Sequence, residues 1–165
     1  MMNQVGIEKV VINMGVGAEE SQMKKAIQVM QTIAGKKGVK TNCKVRIPDW
    51  GLRPGIPIGL KLTLRRKDAE DFLKRAFIAK ENKMNAKSFD KEGNFAFGVK
   101  EHINMPGVKY DPKLGIMGFD VIVALQKKGH RVKRRKVKTS KIGKKQRVSK
   151  EEAVAFVTEL GVELE

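Results

Sequence analysis

Cysteine occurs once in this 165-residue chain, at Cys43, which excludes an intramolecular disulfide and any zinc site built on several thiolates. Histidine occurs twice, at His102 and His130, too few for most His-rich metal centres. Aromatic residues are only 5% of the chain, so the interior must be built mainly from Val, Ile, Leu, Met and Ala. No apolar run approaches the ~18 residues that a membrane-spanning helix needs. The opening Met1-Met2-Asn3-Gln4-Val5-Gly6 has neither the charged lead nor the hydrophobic stretch of an export signal, so a cytoplasmic protein is expected. The last deficit is local: from Lys127 to Lys150 there is no Asp or Glu at all.

What that stretch has instead is 13 Lys and Arg in 24 positions. The whole chain holds 35 basic and 18 acidic residues, a formal net charge of +17. A second basic stretch, Gly35 to Pro54, has Lys36, Lys37, Lys40, Lys44, Arg46 and Arg53 against Asp49 alone. Set both stretches aside and 16 basic residues face 17 acidic ones. The scaffold is neutral, and two segments hold the excess. A block of like charge repels itself and stays extended unless a polyanion relieves it. A membrane-surface helix would pair such charge with a bulky apolar face. Here the large apolar residues Val132, Val137, Ile142 and Val148 lie about five apart and form no helical stripe, so nucleic acid is the expected partner.

Length and 41% apolar content suit a single domain over 1–165, with a basic loop at 36–57 and a basic segment at 127–150. Val5 to Met14 reads as a strand with Val10, Ile12 and Met14 on one face and Val5, Ile7, Lys9, Val11 and Asn13 on the other. Gly15-Val16-Gly17 turns the chain. Ala18 to Ala34 follows as a helix with Met23, Ala26, Ile27, Met30, Ile33 and Ala34 inward, stopped by Gly35. A loosely alternating strand through Val39 to Ile47 leads into a Pro- and Gly-broken stretch that reads as a long loop or a hairpin with a mobile tip. Ile58 to Arg66 alternates cleanly, placing Leu60, Leu62 and Leu64 inward and Lys61, Thr63 and Arg65 outward. Asp68 is the expected N-cap of a helix to about Asn82.

After a turn-rich stretch, short strands are expected at Phe95–Val99 and Phe119–Gln126. The run Val121-Ile122-Val123-Ala124-Leu125 predicts a strand covered on both faces. Ser149 and Glu152 form a capping box for a last helix that buries Ala153, Val154, Phe156, Val157 and Leu160. The fold class is therefore α+β: a mixed, mostly antiparallel sheet with helices on one face and the other face open. Lys9, Asn13, Lys61, Thr63 and Arg65 belong to that open face.

Other chemistries have weaker signals. Gly15-Val16-Gly17 resembles the start of a dinucleotide fingerprint, but Glu20 stands where the third glycine belongs and would repel a pyrophosphate. Glu101, His102, Asp111 and Asp120 show no ligand spacing, so turn and capping roles are expected rather than a metal-dependent nuclease site. Cys43 reads as a passive strand residue. Phe95 and Phe97 faintly echo the stacking strand of an RNA-recognition motif but fit a core strand better. No cofactor and no metal are expected, and the chain is read as a non-enzyme.

Several stretches together resemble the large-subunit ribosomal protein family L-five, in its archaeal and eukaryotic form. They are Ile7-Glu8-Lys9-Val10-Val11-Ile12-Asn13-Met14-Gly15-Val16-Gly17, Gly59-Leu60-Lys61-Leu62-Thr63-Leu64-Arg65, Ser88-Phe89-Asp90 and Gly93-Asn94-Phe95. Glu101-His102-Ile103, Pro106 to Pro112, Gly115 to Val121 and Arg131-Val132-Lys133-Arg134-Arg135 complete the match. The resemblance implies a structural protein of the ribosome's central protuberance that binds 5S rRNA and the large-subunit rRNA. It also implies contact with the peptidyl-site tRNA, with a small-subunit protein across a bridge, and with neighbouring large-subunit proteins.

The residues expected at rRNA are Lys9, Asn13, Lys36, Lys61, Thr63, Arg65, Arg131, Lys133, Arg134, Arg135, Lys136 and Lys138. The family's sheet face maps the 5S contact onto Asn13, Thr63 and Arg65. Its tRNA-facing loop maps to about Thr41–Pro57, with Lys40, Lys44, Arg46 and Arg53 as its cations. Two departures stand out. The family's Gly-Gln-Lys-Pro is here Gly35-Lys36-Lys37-Gly38, and Lys36 cannot imitate an amide's paired recognition. The family's N-terminal arm with Asn-Pro-Met has no counterpart ahead of Val5. A nuclease and a free-standing RNA chaperone are the competing readings.

Overall fold

The computed structural model describes residues 3–164. Five antiparallel strands form one sheet in the order β2-β3-β1-β6-β5. They are β1 (Val5–Gly15), β2 (Val39–Asn42), β3 (Pro57–Leu64), β5 (Phe95–Val99) and β6 (Phe119–Lys127). A short parallel pair, β4 (Lys83–Met84) with β7 (Glu163–Leu164), ties the end of the chain to the middle. The expected α+β class with an open sheet face is what the chain adopts.

One face of the sheet is apolar in four of the five strands: Val10, Ile12 and Met14 of β1, Leu60, Leu62 and Leu64 of β3, Val121, Val123 and Leu125 of β6, and Phe95, Phe97 and Val99 of β5 are buried, while edge strand β2 buries none. Against it lie α1 (Glu20–Ala34), α2 (Lys67–Ala79) and α4 (Lys150–Glu159). α1 buries Met23, Ala26, Val29, Met30 and Ile33, a helical stripe that includes Val29 beyond the expected set. It stops at Gly35, whose φ of 67° is left-handed and open to glycine at little cost. α2 contributes Phe72, Leu73, Ala76 and Phe77; Phe77 stacks on Phe95 and Phe97. Phe95 and Phe97 are thus core residues, and no base can reach them.

Four expectations need correction. β1 has a bulge between Ile7 and Lys9: Ile7 pairs with Leu125, but Lys9 pairs with Ala124. Glu8 is the extra residue, and the inside-out alternation flips across it. Val5 and Ile7 therefore lie on the core side, partly buried, rather than beside Lys9. Secondly, β6 is not covered on both faces. Val121, Val123 and Leu125 are buried while Ile122 is 37% exposed, because among the described residues the helices of the core pack on the other side of the sheet.

Thirdly, Asp68 does not cap α2. The cap position is Arg66, held at a φ of 56°, and Asp68 sits in the first turn, where its charge suits the helix dipole. Fourthly, the strand expected to reach Ile47 ends at Asn42, where the register with β3 shifts, and the chain runs on as an irregular hairpin arm. Smaller differences are the helix starts and ends: α1 begins at Glu20, and α4 buries Ala153 and Val157 fully but leaves Leu160 37% exposed. Gly15-Val16-Gly17 makes a tight turn in which the N–H groups of Val16 and Gly17 both donate to the carbonyl of Ile58, at 3.1 and 3.0 Å.

Candidate nucleic-acid interface

Strand pairing sets the open face in rows. One row runs Val39, Lys61, Asn13, Asp120, Gly98 across β2, β3, β1, β6 and β5. The next runs Thr63, Val11, Ile122, Ala96, and beyond it Lys9 lies beside Ala124. Neighbours in a row sit one strand spacing apart, about 4.8 Å. Lys61, Thr63, Asp120 and Ala96 are exposed, and Lys9, Val11 and Asn13 half-buried. Arg65 follows directly on β3 and is exposed.

The expected set Lys9, Asn13, Lys61 and Thr63 is brought together. Val11, read on the same face as Lys9 and Asn13, lies among them, whereas Asp120 and Ile122 were not anticipated as face residues. The alternation of β6 itself, with Phe119, Val121, Val123 and Leu125 against Asp120, Ile122 and Ala124, is the signal that identifies them. The face sets Lys9, Lys61 and Arg65 against Asp120, a modest positive balance around an apolar centre of Val11 and Ile122.

The basic segment leaves the end of β6 and returns to α4, with a one-turn helix, α3 (Arg131–Arg134), and a 3-10 turn at Lys144–Gln146 as its regular parts. In sequence it has no counter-charge; in space three acids from elsewhere supply one. Lys127 is only 5% exposed, and its Nζ donates to Glu152 Oε1 at 2.7 Å. The other oxygen, Glu152 Oε2, accepts the backbone N–H of Ser149 at 3.0 Å, and Ser149 Oγ accepts the N–H of Glu152 at 3.3 Å. The expected capping box is thus welded to the end of β6 through one carboxylate. The Lys127 hydrogen bond, then the Ser149 N–H, hold the Glu152 carboxyl below its ordinary range.

Arg134 pairs with Glu8, the bulged residue, and also donates to Gln126 at 3.4 Å. Arg147 donates to Glu92 at 3.1 Å. Gln146 donates to the Lys128 carbonyl at 2.8 Å, and Arg135 Nε to the Lys138 carbonyl at 2.6 Å. These bonds fold the segment back over the Lys9–Ala124 end of the open face. Arg131, Lys133, Lys136 and Lys138 stay exposed.

The other basic stretch is a hairpin extension between β2 and β3. Cys43 N–H donates to the Ile56 carbonyl at 2.8 Å, and Ile47 and Leu52 exchange both backbone bonds at 3.0 Å. Pro48–Trp50 forms a 3-10 turn closed by Gly51 at a φ of 65°. Leu52 and Cys43 tuck inward while Trp50, at the tip, is 73% exposed among exposed Lys44, Arg46 and Arg53. Lys40 lies in β2 itself. The hairpin form of the expectation is the one adopted. Trp50 escaped notice in the sequence because a lone Trp ordinarily signals core.

Lys36, expected at RNA, is ion-paired with Asp68, so it joins the end of α1 to the start of α2. His102 is buried, and its Nδ1 accepts the N–H of Met117 at 3.3 Å, a structural use of the ring. Among the described residues no group of three or more His, Cys, Asp or Glu is placed to hold a metal. Among those residues, too, no helix is long and apolar enough to cross a membrane.

Comparison with known proteins agrees over the whole chain. Residues 1–53 match the family model for ribosomal protein L5, and residues 57–160 match the model for the C-terminus of the same ribosomal family. The large ribosomal subunit protein uL5 of Pyrobaculum aerophilum is 47% identical over 99% of this chain and 92% of its own length. Its counterpart in Nanoarchaeum equitans is 44% identical over 99% and 97%. That of Archaeoglobus fulgidus is 45% identical over 99% and 92%.

Proposed function

The chain belongs to the ribosomal protein L5 family, which is structural and non-enzymatic, and from that premise we propose how it works as a constituent of the large ribosomal subunit. It binds 5S rRNA in the central protuberance through the open sheet face around Lys9, Asn13, Lys61, Thr63 and Arg65. The exposed cations Arg131, Lys133, Lys136 and Lys138 hold phosphates of 5S or large-subunit rRNA. The observation that supports this reading most is the meeting of two surfaces. A rigid face with polar side chains in register adjoins, at one end, a cation-rich segment folded down by ion pairs.

The division of labour follows from chemistry. Phosphate contacts bring affinity and a steep salt dependence but no sequence information. Uncharged side chains fixed on strands bring register. The face is too weakly charged to bind RNA tightly alone, and the segment has too little regular structure to discriminate alone.

The Trp50 hairpin reaches the peptidyl-site tRNA, where an exposed aromatic ring flanked by cations suits a nucleic-acid surface. Other surfaces meet the small-subunit bridge protein and neighbouring large-subunit proteins. The test is a binding assay of the full chain against 5S rRNA and a length-matched RNA duplex at moderate salt. A clear preference for 5S rRNA supports the reading; equal binding defeats it and favours a general RNA chaperone.

A further inference from the structure

Where the basic segment folds back on the sheet it encloses a cleft of about 880 Å³. Its floor is Lys9, Ala124 and Leu125 of the sheet, and its walls come from 130–142 and from the turns at 92–94 and 147–148. The charges around it do not cancel. Glu8 and Glu92 are matched by Arg134 and Arg147, which leaves the ammonium groups of Lys9, Lys133 and Lys141 in surplus. Neutral hydrogen-bonding groups line it too: Asn94, Thr139 and Ser140. His130 adds a further one, for its Nε2 is buried with no hydrogen-bond partner among the described residues. An imidazole nitrogen in that state can still donate or accept. Ile142 and Val148 add an apolar wall to Ala124 and Leu125.

These features suit a ligand that combines an anionic group, an apolar surface and hydrogen-bonding edges. We propose that the cleft receives a single unstacked nucleotide of a bound RNA strand, a proposal that rests on the RNA-binding reading above. The volume lies in the range of about 300–1,000 Å³ common to small-ligand sites and excludes a duplex. A duplex offers phosphates on a convex surface and keeps its bases stacked inside. An extruded or bulged nucleotide alone offers phosphate and ring together. Lys133 and Lys141 take the flanking phosphates. The planar guanidinium of Arg134 or Arg147, already fixed by its acid, offers a stacking surface in a site lined by no Phe, Tyr or Trp. The His130 ring and Ser140 meet the base edge.

The test uses the full chain and three RNA hairpins alike except at one position: a bulged 2-aminopurine, the same base paired, and a bulged abasic sugar. The bulged base should bind about tenfold tighter than either control, one good stacking contact's worth, with a change in its fluorescence. Ser140→Trp, at an exposed wall position, should fill the cleft and remove that advantage. Thr139→Trp should do the same if Ser140→Trp lowers the melting temperature. Three outcomes overturn the cleft: equal binding of bulged and paired hairpins, an abasic bulge that binds like the base, or a bulge preference that survives both tryptophans. Each leaves the preference for 5S rRNA standing; loss of that preference in the unaltered chain overturns the RNA-binding reading instead.

Discussion

On the open sheet face, Lys61, Asn13 and Asp120 stand in one row because three strands pair in one register. Along 127–150, the positions of Lys127, Arg134 and Arg147 are set by Glu152, Glu8 and Glu92, residues drawn from three other parts of the chain. The first region is rigid through backbone bonds and only modestly positive. The second is dense in charge and ordered largely by the acids it meets. Charge counted along a sequence therefore overstates what is free to bind. Lys127 is buried and spent on the fold, and Arg134 is engaged in holding the segment down, whereas Lys133, Lys136 and Lys138 face solvent.

The contrast can be broken at several points. The largest effect is expected from replacing Arg131, Lys133, Lys136 and Lys138 together by Gln. The slope of log affinity against log salt should fall by about 3, since each lost phosphate contact removes about 0.7–0.9. An unchanged slope in a salt titration would show that these cations do not touch phosphate. Glu152→Gln comes next. It leaves the buried Lys127 ammonium a neutral amide oxygen in place of a carboxylate and should cost about 1–2 kcal/mol in urea unfolding, below the range for a fully buried pair because Glu152 is 42% exposed. Lys127→Met, which removes the buried charge itself, should cost much less. If both variants lose the same stability, the pair is not what closes the segment onto α4.

The same carboxylate sets a pH dependence. Its folded value lies below the ordinary 4.5, so its stabilisation is fully present above pH 4.5 and is lost as pH falls through the lower folded value. The acid limb of the stability curve should therefore be shallower in Glu152→Gln than in the unaltered chain. Asn13→Ala, on the sheet face, should reduce the preference for 5S rRNA about fivefold, one hydrogen bond's worth, with the salt slope unaltered. The smallest effect belongs to Glu8→Gln, which frees Arg134. A stability loss under about 1 kcal/mol should accompany faster amide exchange confined to 129–140.

Much of this was legible in the sequence because it follows local rules. The alternation of β3 and the capping box at Ser149 depend on neighbours within a few residues, and both appear as read. The bare sheet face with Lys9, Asn13, Lys61 and Thr63 followed from alternation as well. The reading failed where a distant partner decides. Glu8 takes the bulge position opposite β6 and flips Val5 and Ile7 inward, which no period-two count of β1 alone can show. Asp68 looked like a cap but serves Lys36 across the start of α2. The run Val121 to Leu125 suggested burial on both sides, yet only the topology shows that no helix covers Ile122. The cleft depends on residues from 8 to 148 and has no sequence signature.

The claim that the segment supplies affinity and the sheet face discrimination is tested most directly on the unaltered chain. Its affinities for 5S rRNA and for a length-matched duplex are to be measured from low to high salt. Both should fall steeply in parallel, with their ratio constant within about twofold, because phosphate contacts are common to the two and discrimination rests on the uncharged sheet-face residues Asn13 and Thr63. A ratio that falls towards one as salt rises would place discrimination in the charges and contradict the account.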